Sequence, residues 1–190
     1  MPPKRSRRPQ IPQRTRIFIG CEGDSERSYV RLLQDFADEC ENLHIHFDAH
    51  LLQPGAGDPL ELIRRANERL RHGERHGPYT ERAALIDQQG FGQNHRRDQQ
   101  CRHLARQLSI DLILQNPDHE ALLLHHLPGC QTRRPPQGQS LVALRAEWPD
   151  YRKGRSHLWL SERLDLIALQ RACSVEHALG RFLRRLGFPV

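Results

Sequence analysis

The segment Arg16-Ile17-Phe18-Ile19-Gly20-Cys21 runs directly into Glu22-Gly23-Asp24-Ser25-Glu26, and this junction decides the fold. Residues 16–21 have the apolar character of a buried strand, and the pattern of an amphipathic helix starts at the end of the junction. We expect Ser25 to be the N-cap of that helix. Because open parallel sheets bind ligands outside the carboxyl ends of their strands, Glu22 is the first candidate for a site residue.

Two later apolar runs end in the same way. Residues 83–86 lead into Asp87, and residues 110–114 lead into an acidic segment at 116–120. Both runs have the composition of buried strands. Since the carboxyl ends of parallel strands lie at one edge of a sheet, the three strand ends are expected to bring acidic side chains to the same place.

Strand and helix patterns alternate through this region. Alternating apolar residues at 43–51 predict a strand near a sheet edge, and Asp58-Pro59 with Glu61 is typical of a helix start. Residues 90–97 are polar and predict a loop before a further helix. The order β-α-β-α-β-α-β predicts an α/β fold, with a parallel sheet of about four strands flanked by helices.

The prolines of the segment 133–138 mark the clearest break in the chain, because consecutive prolines do not fit inside a helix or a central strand. Two helical patterns follow, one before Ser174 and one between Ser174 and Gly187. We therefore expect one domain over residues 16–130 and a C-terminal helical extension over residues 131–190 that packs on the same domain.

The net charge of +6 comes from the beginning of the chain, because residues 1–16 contain no acid and the rest is balanced in charge. We expect residues 1–15 to form a disordered basic arm. Such an arm either neutralises the phosphates of a nucleic acid or only keeps the protein soluble. The candidate nucleic-acid-binding residues in the arm are Lys4, Arg5, Arg7, Arg8 and Arg14.

Composition argues against several classes of protein. The mean hydropathy is -0.74, no apolar stretch approaches the length of a membrane span, and the basic N-terminus lacks the apolar segment of a signal peptide. We expect a cytoplasmic protein with no membrane partner. The five cysteines are scattered, which indicates neither a disulfide framework nor a zinc knuckle. His44, His46 and His50 also lack a further ligand at a supporting spacing, so surface histidines are favoured over a zinc site.

Carboxylates gathered at strand ends suit a hard divalent cation. Mg²⁺ prefers oxygen ligands and is usually held by one or two carboxylates together with substrate phosphate. Such a metal activates water and stabilises the charge of a phosphodiester during cleavage. For Glu22 and Asp87 this interpretation is favoured over that of surface acids at strand ends. For Glu26 the plainer alternative is an acid that stabilises the helix dipole.

Four motifs cover most of residues 16–155 and match a known pattern. They are Cys21-Glu22-Gly23-x-Ser25-Glu26-x-x-Tyr29, Asp87, Asn116-Pro117-x-x-Glu120-x-x-Leu123-Leu124-x-His126, and Tyr151-x-Lys153-Gly154. Together they resemble the RloB-like family of TOPRIM-type proteins, whose acidic sites are similar to those of OLD-family nucleases. The resemblance implies a TOPRIM-like domain over residues 16–130 and metal-dependent cleavage of DNA or RNA in bacterial phage defence, of the restriction or abortive-infection type.

The resemblance also implies roles for individual residues. Glu22, Glu26 and Asp87 become catalytic residues, and Lys153 becomes a catalytic residue that contacts nucleic-acid phosphate. Glu22, Asp87 and Glu120 become ligands of Mg²⁺ or Mn²⁺. Nucleic acid is the implied substrate, and an ATPase or another protein of the defence locus is an open partner.

Two departures from the family pattern affect the metal site. TOPRIM proteins usually show Asp-x-Asp at the third strand, whereas this chain has Asp87-Gln88-Gln89. The oxygen of Gln89 can still bind a metal, but one negative charge is lost. Asp118, where the family more often has a small residue, is a candidate ligand that supplies the missing charge. His119 takes the place of an aromatic residue.

These departures keep an alternative open, which is a catalytically decayed TOPRIM domain that acts as a nucleic-acid-binding or sensing subunit. A third hypothesis is an α/β domain for a small phosphorylated ligand or a protein partner, since a fold alone does not fix a function. The apolar residues of the terminal helices either complete the core or form a homodimer.

Overall fold

The computed structural model describes residues 14–53 and 57–190, and it contains a four-stranded sheet in which every neighbouring pair is parallel. The strand order is β2-β1-β3-β4. The strands are β1 Thr15–Cys21, β2 Ile45–Leu51, β3 Glu81–Asp87 and β4 Asp111–Gln115. The predicted α/β class is therefore confirmed, as is the edge position of the second strand.

Eight α-helices flank the sheet within the described part of the chain. They are α1 Asp24–Glu39, α2 Pro59–Gly73, α3 His95–Gln107, α4 His119–His126, α5 Ser140–Glu147, α6 His157–Ser161, α7 Leu166–Val175 and α8 His177–Leu186. None of these described helices has both the length and the apolar character needed to cross a membrane.

The alternation of side chains along the strands divides the core into two layers. Ile17 and Ile19 of β1 lie on one face and pack with α1, α4 and the C-terminal helices α5–α8. Phe18 lies on the other face and packs with α2 and α3. Leu164, Leu169 and Phe182 belong to the first layer, so the C-terminal helices share a core with the sheet.

Several helix boundaries follow the expected capping chemistry. The Asp58 carboxylate accepts the Leu60 N–H at 3.0 Å and caps α2, with Pro59 as its first residue. Gly187 has a φ of 96° and ends α8 in the left-handed region, as its sequence position predicts. The segment 133–138 contains neither helix nor strand.

Three predicted helix starts are wrong. The N-cap of α1 is Gly23 rather than Ser25, because the Glu26 carboxylate accepts the Gly23 N–H at 3.0 Å and so fixes an earlier start. Helix α3 already begins at His95, inside the predicted loop, because the Asn94 side chain caps it. Ser174 does not open α8. It lies in α7, where its hydroxyl donates to the Arg171 carbonyl at 2.7 Å.

Candidate active site

The order of the strands places a topological switch point between β1 and β3. The helix that follows β1 packs on one face of the sheet, and the helix that follows β3 packs on the opposite face. A crevice opens where successive helices diverge in this way, and ligands of open α/β sheets bind there. Glu22 directly follows β1 and Asp87 ends β3, so both predicted residues lie at this crevice.

A hydrogen bond joins the two strand ends. The Glu22 carboxylate accepts the backbone N–H of Asp87 at 2.9 Å. The sheet register explains the proximity, because Cys21, the last residue of β1, is paired with Leu85, two residues before the end of β3. The bond fixes one Glu22 oxygen and leaves its carboxylate at the rim of the crevice.

Glu26 reaches the same crevice from the first turn of α1. Its side chain is buried, with one oxygen accepting the Gly23 N–H and the other 3.9 Å from His119 Nδ1. The capping bond gives Glu26 a structural role, and its position beside Glu22 also makes it part of the acidic cluster. The capping bond is a structural role, and the catalytic role of Glu26 stays a prediction.

Glu120 enters from the start of α4 and is the most deeply buried acid of the cluster, with only 2% of its surface exposed. One of its oxygens forms an ion pair with Lys153 Nζ at 3.0 Å, and the other is 3.5 Å from the Tyr151 hydroxyl. Lys153 itself is largely exposed. Burial lowers the pKa of Lys153, but the bond and charge of Glu120 outweigh it, and the net effect is a raised pKa. The ammonium group stays charged.

The acids around Asp87 disfavour its ionisation. Burial raises the pKa of Asp87 to about 8, and the charges of neighbouring acids contribute in the same direction. Those neighbours are Glu26, Glu22, Asp118 and Glu120. Burial likewise raises the pKa of Glu22 and of Glu26, against the hydrogen bonds that lower it. The carboxylates of the cleft thus face one lysine, and a bound cation would reduce the repulsion between them.

The acids line an open cleft of about 410 Å³. Its lining residues are Glu22, Gly23, Asp24, Ser25, Glu26, Gln53, Asp87, His119, Glu120, Lys153 and Gly154. Oxygen donors of this kind fit Mg²⁺ or Mn²⁺. Asp87 Oδ1 is buried and has no hydrogen-bond partner, so an acceptor at the centre of the cluster is free for a ligand.

The fit has a definite limit. In the described part of the chain, no three His, Cys, Asp or Glu side chains converge closely enough to form a preassembled metal cage. Glu22 and Glu26 are held by backbone N–H groups, and Glu120 is held by Lys153. A magnesium site built from one or two carboxylates, waters and substrate phosphate does not need such a cage.

The two residues expected to compensate for the missing acid have other contacts. Gln89 is exposed, and its amide nitrogen donates to Asp87 Oδ2 at 3.4 Å, so the donor end of the amide faces the carboxylate. Asp118 caps α4 by accepting the Ala121 N–H at 3.1 Å and does not line the cleft. The charge of Asp118 still contributes to the raised pKa of Asp87.

Of the candidate basic residues in the predicted arm, only Arg14 lies in the described part of the chain. Lys4, Arg5, Arg7 and Arg8 lie outside the described residues. Arg14 is exposed and pairs with Asp38 at 2.7 Å. It directly precedes β1, so it lies at the opposite end of that strand from the acidic cleft.

Histidines on α4 are the part of the site that sequence analysis missed. His119 is fully buried, and Gln115 Nε2 lies 2.8 Å from its Nδ1. Burial lowers the pKa of His119 to about 4, so the ring is neutral. The His119 ring makes an edge-to-face contact with Tyr29, as an aromatic residue could. The signal in the sequence was that His119 stands where the RloB-like pattern has an aromatic residue.

His125 and His126 end α4, and the ring of His126 is buried. Its Nδ1 donates to the Leu122 carbonyl at 2.9 Å, and its Nε2 accepts the Tyr29 hydroxyl at 3.0 Å. Burial lowers its pKa to about 4. The cost of burying a charge outweighs the helix dipole at this position.

Comparisons of the chain with protein-family models, with curated proteins and with solved structures gave no match. The resemblance to the RloB-like family thus stays a prediction from the motifs, and the function has to be inferred from the site.

Proposed function

We propose that the protein is a Mg²⁺- or Mn²⁺-dependent nuclease that hydrolyses phosphodiesters of DNA or RNA. One observation carries the proposal: five carboxylates from three segments line the cleft at the switch point of the sheet, with Lys153 as the basic group among the described residues that line it. A fold gains no stability from such crowding of like charges. A cation bound between the acids and a phosphate would compensate the repulsion among the carboxylates.

The side chains divide into ligands and supporting groups. Glu22, Asp87 and Glu120 would hold the metal, and the buried Oδ1 of Asp87 is the ligand atom that makes no hydrogen bond. The bound metal would lower the pKa of a water molecule and stabilise charge on the phosphoryl oxygens. Glu26 orients the loop after β1 through its bond to Gly23, and its charge adds to the attraction for a cation.

Lys153 is suited to bind the phosphate. Its side chain is 62% exposed and is tethered at one point, by the ion pair with Glu120. A substrate phosphate that displaces this contact would gain the lysine, while Glu120 would become free for the metal. The ion pair thus keeps both groups in place before substrate binds.

The wider biological proposal rests on the motifs. The resemblance to RloB-like proteins supports a role in phage defence, with nucleic acid as substrate and with an ATPase or other defence-locus protein as partner. A cytoplasmic location and a homodimer fit the same picture.

A specific observation favours the alternative of a decayed site that only binds nucleic acid. Gln89 occupies the position of the second family acid and donates a hydrogen bond to Asp87, which uses one carboxylate oxygen of the central ligand. In that case the acids would hold a metal weakly or not at all.

Calorimetric titration of Mn²⁺ followed by a cleavage assay on the same samples tests the proposal. The variant is Asp87→Asn, which removes the central ligand at nearly constant volume. The matched control is Glu81→Gln, because Glu81 begins the same strand at the opposite end of the sheet. We expect Asp87→Asn to lose metal binding and to lower the cleavage rate by about a hundredfold or more, and the control to behave like wild type.

Other outcomes are equally informative. Wild-type protein that binds metal but leaves duplex DNA, single-stranded DNA and RNA intact would favour the decayed site. Absence of metal binding in wild type, even with nucleic acid present, would rule out the metal-dependent reaction.

A further inference from the structure

A second groove lies beside the acidic cleft, between α1, the edge strand β2 and the start of α6. Its volume is about 440 Å³. The basic or potentially basic side chains that line it are Arg27, Arg31, His46 and His157. Asp35 is the acid among its described lining residues, and it lies 3.9 Å from His157.

The groove and the acidic cleft are lined by neighbouring residues of the same three segments. Helix α1 supplies Glu26 to the cleft and, one residue later, Arg27 to the groove. The segment around β2 supplies Gln53 to the cleft and residues 46–49 to the groove. The loop before α6 supplies Lys153 and Gly154 to the cleft and leads to His157 in the groove. Arg27 of the groove also pairs with Asp24 of the cleft at 2.6 Å, so the two depressions are neighbours along α1.

A hydrogen bond holds the shared walls together. The Gly154 N–H donates to Ser25 Oγ at 3.3 Å, which fastens the loop of Lys153 to the first turn of α1. A ligand that lies in the groove would pass this contact to reach Lys153.

The edge of β2 argues against an added strand as the occupant. A partner strand would pair with the outward-facing backbone groups of the edge. Two of these are already occupied, because Gln34 Oε1 accepts the Phe47 N–H at 2.8 Å and Gln34 Nε2 donates to the Ile45 carbonyl at 3.3 Å. The Gln34 amide thus takes the place of a peptide group of a neighbouring strand.

The charges fit a polyanion. Arg27 and Arg31 are four residues apart on α1 and so lie on the same side of the helix. Arg27 pairs with Asp24 at 2.6 Å, whereas Arg31 is exposed and forms no ion pair within the described residues. Guanidinium groups bind phosphate oxygens in a forked geometry and retain their charge at any physiological pH.

We propose that this groove binds the phosphodiester backbone of the nucleic acid and leads it into the acidic cleft. The inference rests on the proposed function, since it assigns the path of the substrate to that same site. Arg27 and Arg31 act as phosphate-binding residues that carry no sequence preference.

Binding without cleavage tests the groove. Fluorescence anisotropy with a labelled duplex DNA, a single-stranded DNA and a single-stranded RNA is measured in EDTA over a series of salt concentrations. The variant is Arg27→Gln with Arg31→Gln. Loss of two phosphate contacts is expected to weaken binding of the preferred probe about tenfold and to reduce the salt slope by about 1.4 to 1.8.

The matched control is Arg64→Gln with Arg71→Gln on α2, which packs on the opposite face of the sheet. Both controls are exposed, and Arg64 pairs with Glu61 three residues away just as Arg27 pairs with Asp24. The two double variants therefore lose the same charge and the same kind of ion pair. Equal weakening in both, or no weakening in the groove variant, would overturn the proposal.

The test separates this inference from the proposed function. The anisotropy measurement is made in EDTA, so its outcome does not depend on whether the acidic cleft binds a metal. Selective loss of binding in the groove variant, with no cleavage by any protein, would support the groove and reject the nuclease. Wild-type protein that binds none of the three probes at low salt would reject the groove, whatever the metal titration shows.

Discussion

The two ends of the sheet differ in how far their buried charged groups are paired with groups of opposite charge. At the amino ends of β1 and β3, Arg16 is surrounded by acceptors: its guanidinium donates to Asp48 at 2.7 Å, to the Gly77 carbonyl at 2.6 Å and to the Tyr79 hydroxyl at 2.8 Å. At the carboxyl ends, five acids line the cleft together with one lysine, Lys153. We call the first arrangement the Arg16 network.

The pKa directions express the same difference. Burial alone would raise the pKa of Asp48, but the hydrogen bonds from Tyr79 and Arg16 lower it below its usual range. Burial also acts on Asp87, where the neighbouring charges are negative and the pKa rises to about 8. One end of the sheet thus stabilises the fold by satisfying its charges, and the other keeps charges that need an external partner.

The largest effect is expected from breaking the Arg16 network. Arg16→Met removes the partner of a partly buried Asp48 and leaves two backbone carbonyls without their donor. The free energy of unfolding should fall by about 3 kcal/mol. Urea denaturation followed by circular dichroism measures the change.

Arg14→Met is the control for that experiment. Arg14 forms an ion pair with Asp38 at the same distance of 2.7 Å, but both side chains are about half exposed. Surface pairs of this kind contribute little, so the free energy of unfolding should change by less than about 0.5 kcal/mol. Equal losses in both variants would show that the Arg16 network has no special importance.

A smaller effect of opposite sign is expected at the acidic end. The folded protein holds a proton on Asp87 up to about pH 8, whereas an unfolded aspartate loses it near its ordinary pKa of 3.8. The stabilising effect of that proton is fully present below pH 3.8 and is lost as the pH rises through 8. Asp87→Asn is neutral throughout and should be more stable than wild type by about 2 kcal/mol at pH 8 in EDTA.

The pH series supplies its own control, because the difference between Asp87→Asn and wild type should shrink toward zero at pH 4. Added Mn²⁺ should raise the midpoint of thermal unfolding of wild type more than that of the variant. A variant that is less stable than wild type at pH 8 would mean that Asp87 is a stabilising residue, and the contrast between the two ends of the sheet would fail.

The acidic end was easier to predict from the sequence than the Arg16 network. Glu22 and Asp87 follow apolar runs, and the rule that ligands lie at the carboxyl ends of parallel strands brings them together without knowledge of the strand order. Arg16, Asp48 and Tyr79 come from three different segments, and nothing in their local sequence indicates that they meet. The sequence places Arg16 at the start of the first strand but gives no sign of its partners.

Local competition explains the remaining errors. Ser25 is a good N-cap by composition, but Glu26 three residues after Gly23 stabilises an earlier start. Residues 90–97 have the composition of a loop, but the Asn94 side chain caps α3 and starts the helix inside that stretch. In each case a side chain has two favourable uses, and only the packing of the whole fold decides between them.

The smallest predicted effect concerns Gln89, and it tests whether the acidic end tolerates one more charge. Gln89→Asp restores the second acid of the family motif at an exposed position next to Asp87. Greater ligand charge should tighten Mn²⁺ binding about fivefold, which corresponds to about 1 kcal/mol, and should make the metal-free protein slightly less stable at pH 8. Gln88→Asp is the control, because Gln88 is equally exposed and does not bond to Asp87. If Gln89→Asp leaves metal affinity unchanged while Asp87→Asn abolishes it, the site is complete without the family acid, and the departure at Gln89 is no sign of decay.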